Sequence, residues 1–143
     1  MNEYNHLEIQ NEEKTLEYLK CLIKAVEKTR SVGGECEYKT TKAREAMVSN
    51  DKDEMLRVLQ EYMREYYDKI TKTNIVRVVP IDKKTCEQLT IQQLQMQLRI
   101  MIGFIYQYEV ICSSAKETIK NSLKKILESS GKFSKREIDL FMI

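Results

Sequence analysis

The chain has 143 residues and a mass of 16.9 kDa, long enough for one domain to bury roughly 68 to 70% of the surface its unfolded form exposes, with no disulfide or metal staple. With 42% apolar residues, 32% charged residues, four Gly and one Pro, the composition is that of a helical protein and excludes intrinsic disorder. A net charge of +2 commits the whole chain neither to nucleic acid nor to an anionic membrane.

The first predicted helix covers residues 11–31. Ile9, Leu16, Leu19, Ile23 and Val26 follow a 3-4 spacing, widened by Leu22 and Ala25, with Asn11 as a candidate N-cap. Gly33-Gly34 reads as the stop, because Gly takes the left-handed C-cap conformation without steric penalty. A weaker helix is expected over 36–49, where Tyr38, Ala43, Ala46 and Met47 stand among Lys and Thr.

Asp51 and Glu54, three residues apart, have the spacing of a capping box and predict a helix over 52–72. Its apolar face carries Met55, Leu59, Tyr62, Tyr66 and Ile70, with Leu56, Met63 and Tyr67 beside them. Aromatics at helical spacing belong to a core, with their hydroxyls at its rim. From Asn74 to Ile81 the period breaks: Ile75, Val76, Val78 and Val79 are β-branched and Pro80 favours extension before it, so a short extended crossover is expected.

The longest predicted helix spans 83–129, capped by Asp82 or Thr85, and either passes straight through Cys112-Ser113-Ser114 or bends there. Ile91, Leu94, Leu98, Met101, Ile105, Tyr108, Cys112, Ala115, Ile119, Ser122 and Ile126 repeat at 3-4 spacing, and such a seam over about five heptads is what a coiled coil needs. Met96, Ile100, Phe104 and Ile111 add a second stripe, so this helix is buried on several sides and central to the fold. Gly103 within it implies a close helix crossing. Ser129-Ser130-Gly131 ends it, and Ser134 with Glu137 opens a terminal helix over 135–142 that carries Leu140, Phe141, Met142 and Ile143 at its end. That apolar tail either folds back or is a docking motif. The architecture is thus a single all-α domain over 1–143, a four-to-five-helix bundle with a long central helix in its C-terminal half.

Chemistry is scarce. The only His is His6; Glu3 and His6 have the i, i+3 spacing of di-iron bundles, but no second such pair exists. No phosphate loop, nucleophile elbow or C-x-x-C pair is written, so no metal, cofactor or catalytic set is expected. Cys21, Cys36, Cys86 and Cys112 read as reduced structural thiols and, with no secretory signal at Met1 to Gln10, point to an intracellular protein. The longest uncharged stretch, Ile100 to Tyr108, is far short of the ~20 residues a membrane span needs, so a soluble protein is expected.

Two functional expectations follow. The first is a non-enzymatic protein-interaction module, an adaptor or assembly subunit that self-associates as a homo-oligomer or docks a partner. Its interface would be the seam Leu94, Leu98, Met101, Ile105 and Tyr108, together with Leu140 and Phe141. The second is an electrostatic binder of nucleic acid or anionic lipid through the basic helix 116–136. Lys116, Lys120, Lys124, Lys125, Lys132, Lys135 and Arg136 stand there against only Glu117 and Glu128, and the cationic surplus would meet phosphates. That segment has one Arg and no base-stacking aromatic run, so sequence-specific readout of bases is not expected.

Overall fold

The structure is a computed structural model that describes residues 12–73 and 88–142, apart from the side chains of Glu12, Tyr67, residues 70–73 and Leu140. The fold is all-α. Seven helices are present among the described residues: α1 (Glu12–Glu27), α2 (Arg30–Lys39), α3 (Thr41–Ser49), α4 (Lys52–Thr73), α5 (Ile91–Ile111), α6 (Lys116–Ser130) and α7 (Lys135–Phe141). The expected crossover at 74–81, the candidate caps Asn11, Asp82 and Thr85, and Ile9, Cys86, Glu3 and His6 lie outside the described residues.

The central role expected for the long apolar helix holds. α5 packs against α1, α2, α3, α4 and α6, and every residue from Met101 to Gln107 is buried. A helix surrounded on several sides is apolar around most of its circumference, which is why two hydrophobic stripes run side by side along it. It starts at Thr90, whose Oγ1 accepts from the Gln93 N–H at 3.1 Å while Gln93 Oε1 accepts from the Thr90 N–H at 2.8 Å.

Of the two courses open to the helix expected over 83–129, the chain takes the break: the described part is two helices, divided at residues 112–115. The Cys112 N–H donates to the Tyr108 carbonyl and the Ser113 N–H to that of Val110. The Ser113 Oγ then accepts from the Ala115 N–H at 2.9 Å, so a hydroxyl competes for the backbone and starts α6. The turn also changes the buried face. In α6 the core positions are Ile119, Leu123 and Leu127, whereas Ser122 and Ile126 of the expected seam are only half-buried. The heptad pattern therefore describes two helices of one bundle and is no continuous coiled-coil stripe.

The Gly33-Gly34 stop is also corrected. α1 ends at Glu27, and Thr29, in an extended conformation, starts α2, which runs through both glycines. A Cβ on Gly33 would stand 3.2 Å from the Val26 carbonyl oxygen, so this glycine serves the close return of α2 over the end of α1. The helix expected at 36–49 is divided at Thr40, which is fully buried. Its Oγ1 donates to the Cys36 carbonyl at 2.8 Å, and Arg44 Nε donates back to it at 3.0 Å. Lys39 fixes this junction to two other helices: its ammonium meets Glu109 Oε2 of α5 at 3.0 Å, and its carbonyl accepts from the Tyr62 hydroxyl of α4 at 2.7 Å.

The remaining caps follow the sequence with one change. Asp51 Oδ1 accepts from the N–H groups of Asp53 and Glu54, but Glu54 turns to Arg57, 2.6 Å away, and the Asp51 N–H donates to Ser49 Oγ. The box is half of the expected one because a charged partner outcompetes a backbone N–H. Ser134 and Glu137 form both of their reciprocal bonds, at 2.9 and 3.1 Å. Gly131, at φ 70°, terminates α6 as expected. Met55, Leu59, Tyr62 and Tyr66 are buried as expected of α4.

Candidate functional site

The residues expected to form an interface are inside the molecule. Leu94, Leu98 and Ile105 are fully buried and Met101 is 8% exposed, while Tyr108 is half-buried near the end of α5. The apolar tail folds back: Phe141 stacks on Tyr18 of α1 at 4.1 Å between ring centroids, 15° from parallel, and meets Phe133 edge-on at 5.7 Å. Leu140 lies in α7, with its side chain outside the described residues. The seam is thus satisfied by this chain's own helices, and a partner finds none of Leu94, Leu98, Ile105 or Phe141 exposed.

The basic segment is divided by the fold. Lys125 and Lys132 reach a groove of about 780 Å³ between α1 and α6, where they join Lys20, Lys24 and Lys28. Lys116, Lys120, Lys124, Lys135 and Arg136 do not line it; Lys120 instead donates to the Met142 carbonyl at 3.3 Å. The lysines from α1 and its C-terminal end are not singled out by sequence reasoning. Over residues 12–28 the charges cancel, with Glu12, Glu13, Glu17 and Glu27 against Lys14, Lys20, Lys24 and Lys28, so counting charge along the chain hides them. The i, i+4, i+8 spacing of Lys20, Lys24 and Lys28 is the signal that could have found them.

Five ammonium groups therefore line one concavity against two carboxylates, Glu17 and Glu27. Glu17 is engaged, with Lys132 at 3.1 Å and Lys20 at 3.7 Å. The hydrogen bond from Lys132 holds the Glu17 carboxyl below the usual glutamate range. Lys24, Lys28 and Lys125 are exposed and form no ion pair among the described residues. Beneath the charges lie half-buried Ile126 and the buried Cys21, whose thiol is pushed up by burial first and by Glu17 second. Ser129 and Ser130 close one end. Such an arrangement attracts anions, covers an apolar contact and offers no reactive thiolate.

A second concavity of about 360 Å³ lies over Tyr106, between Arg44, Arg30, Glu27 and Glu37. Its charges are balanced, and Arg44 is engaged by the Tyr106 hydroxyl at 2.5 Å and by Thr40. Among the described residues no group of three or more His, Cys, Asp and Glu side chains is placed to hold a metal ion, and no described helix is long and apolar enough to cross a membrane. No protein-family model matches the chain, and no curated protein or solved structure matches it.

Proposed function

We propose that this chain is a non-enzymatic protein-interaction module whose working surface is the groove between α1 and α6. The observation that carries the reading is the convergence of Lys20, Lys24, Lys28, Lys125 and Lys132 from two separate parts of the sequence onto one concave surface with Ile126 at its floor. Five lysines against two carboxylates leave a positive surplus at Lys24, Lys28 and Lys125 that opposes the folded state of a lone chain, and an anionic partner relieves it. The α5 seam has a different task in this reading: it builds the core that holds the two walls of the groove in register. Cys21, the one thiol of the groove, is buried and held protonated, so the surface offers charge and apolar contact without a nucleophile.

The test is quantitative co-isolation from the cell of origin with the wild type, with Lys24→Glu/Lys28→Glu/Lys125→Glu, and with Lys124→Glu/Lys135→Glu as a charge-reversal control outside the groove. A defined set of proteins should be depleted at least about tenfold by the groove variant, a loss of about 1.4 kcal/mol or more, and kept by the control. The same set recovered equally with all three forms, at matched helicity, refutes the reading.

A further inference from the structure

We propose that the occupant of the α1–α6 groove is an acidic amphipathic helix of a partner protein, which lies along the line between the two helices. This rests on the groove being the working surface. Lys24, Lys28 and Lys125 would meet its carboxylates, and an apolar residue on its inner face would cover Ile126.

Charge complementarity selects an acidic partner, and the rest of the groove selects a protein helix over other anions. Glu17 and Glu27 stand among the lysines. A polynucleotide, with a negative charge at every phosphate, meets repulsion at both, whereas a peptide places an uncharged or basic residue opposite each. The lining contains no aromatic ring on which a base could stack. Half-buried Ile126 is the one large apolar side chain in the lining, whereas binding into a bilayer interface needs a broad apolar face. Two packed helices present ridges and a groove that take a third helix at ordinary interaxial distance. An extended peptide could offer its C=O groups to the ammonium groups, but its N–H groups would find only Glu17, Glu27, Ser129 and Ser130 as side-chain acceptors in the lining, whereas a helix satisfies its own.

The test uses the full chain and four fluorescent probes, read by anisotropy at low and high salt. The first probe is a peptide of about 20 residues, roughly 30 Å as a helix, with Leu at i, i+3, i+4 and i+7 spacing, Glu at the positions flanking that stripe on one side and Gln elsewhere. The second is the same composition scrambled to remove the stripe. The others are a single-stranded oligothymidylate of similar length and phosphatidylserine-containing vesicles. The striped peptide should bind more tightly than the other three and become helical on binding. Its affinity should fall at least about tenfold with Lys24→Glu/Lys28→Glu/Lys125→Glu and change little with Lys124→Glu/Lys135→Glu.

Equal binding of the scrambled peptide overturns helix recognition. Tighter binding of oligothymidylate or vesicles, lost in the same triple variant, overturns the protein occupant while leaving the groove as the working surface. A concentration-dependent mass in light scattering that the triple variant abolishes makes the occupant a second copy of this chain and also overturns the proposal. Binding of every probe that ignores the three lysines, or no binding at all, removes both the occupant and the reading of the groove.

Discussion

Leu19 of α1 closes over Gly103 of α5 so tightly that a Cβ placed on Gly103 would stand 2.7 to 2.8 Å from three Leu19 side-chain carbons. One of the three is the Leu19 Cβ itself, which cannot rotate away, so relief requires the helices to separate. Ala is favoured over Gly in a helix by about 1 kcal/mol, yet overpacking of this kind costs about 1–3 kcal/mol. Gly103→Ala should therefore destabilise the protein by up to about 2 kcal/mol in urea unfolding, the overpacking cost less the propensity gain. In the background of Leu19→Ala the same change should cost less, because the two Leu19 Cδ contacts are gone while the Cβ contact at 2.8 Å remains. Equal effects in both backgrounds would mean that the crossing is not what excludes a side chain at residue 103.

Gly34 has the opposite prospect. It lies inside α2, a Cβ placed on it would meet nothing within 4 Å, and its φ is not positive. Gly34→Ala should raise stability by about 0.4–1 kcal/mol, because it lowers the entropy of the unfolded chain without strain. The check is the urea midpoint at unchanged slope, and a lower midpoint would count against α2 continuing through the glycine pair.

The contrast between these glycines marks what the sequence makes legible. Gly103 reads as a crossing point because it interrupts a strongly apolar helix, and only a close neighbour explains its cost there. Gly33-Gly34 misleads because two successive glycines look the same whether they end a helix or let one approach a carbonyl, and the Val26 contact that decides it is tertiary. Thr90-Ile91-Gln92-Gln93 carries a capping box in plain view, masked because Asp82 and Thr85 offer earlier caps. The break at 112–115 has no Gly or Pro to mark it, only Ser113, whose side chain accepts from the Ala115 N–H in the turn before α6. The groove is half legible: Lys125 and Lys132 belong to a visible basic run, but Lys24 and Lys28 become its neighbours only when α1 packs on α6.

Leu98 and Ile105 are fully buried in this one chain. A carboxylate there would have to be desolvated without a partner, at a cost of several kcal/mol that a domain of this size does not hold in reserve. Leu98→Asp or Ile105→Asp should thus abolish folding itself, seen as loss of helical circular dichroism and of a cooperative transition. A folded variant that has merely lost an assembly would return the seam to the surface and contradict the packing.

Cys36 reports on that same core. It is fully buried, and burial pushes its thiol up to about 12, so almost no thiolate exists near pH 8. Cys112 is exposed at the α5–α6 turn. Peptide mapping after brief iodoacetamide treatment should find Cys112 modified and Cys36 intact, with Cys36 labelled only in denaturant. Early labelling of Cys36 would mean that α2 opens readily from α5.

The terminal helix and the turn before it are held to α1 by two ion pairs as well as by the aromatic stack. Lys132 meets Glu17 at 3.1 Å and Lys14 meets Glu137 at 2.6 Å. Glu17 is lowered chiefly by the Lys132 hydrogen bond; at Glu137 burial pushes upward, but the bonds from Lys14 and Ser134 outweigh it and the net shift is also downward. A carboxyl whose folded-state pKa lies below its unfolded value binds fewer protons in the folded protein. Its contribution is present above the ordinary glutamate range and is lost as the pH falls through the folded-state value. Both pairs are partly exposed, so each contributes modestly and is weakened by salt. On acidification from about pH 6 to pH 3, where glutamates of ordinary pKa become protonated, amide protection factors, corrected for the slower intrinsic exchange in acid, should fall in α7 before they do in α5, which depends on neither pair. Glu137→Gln should reproduce part of that loosening at neutral pH and flatten the acid response of α7. If α7 and α5 lose protection together, the tail is held by the Tyr18–Phe141 stack alone and the two ion pairs contribute nothing measurable.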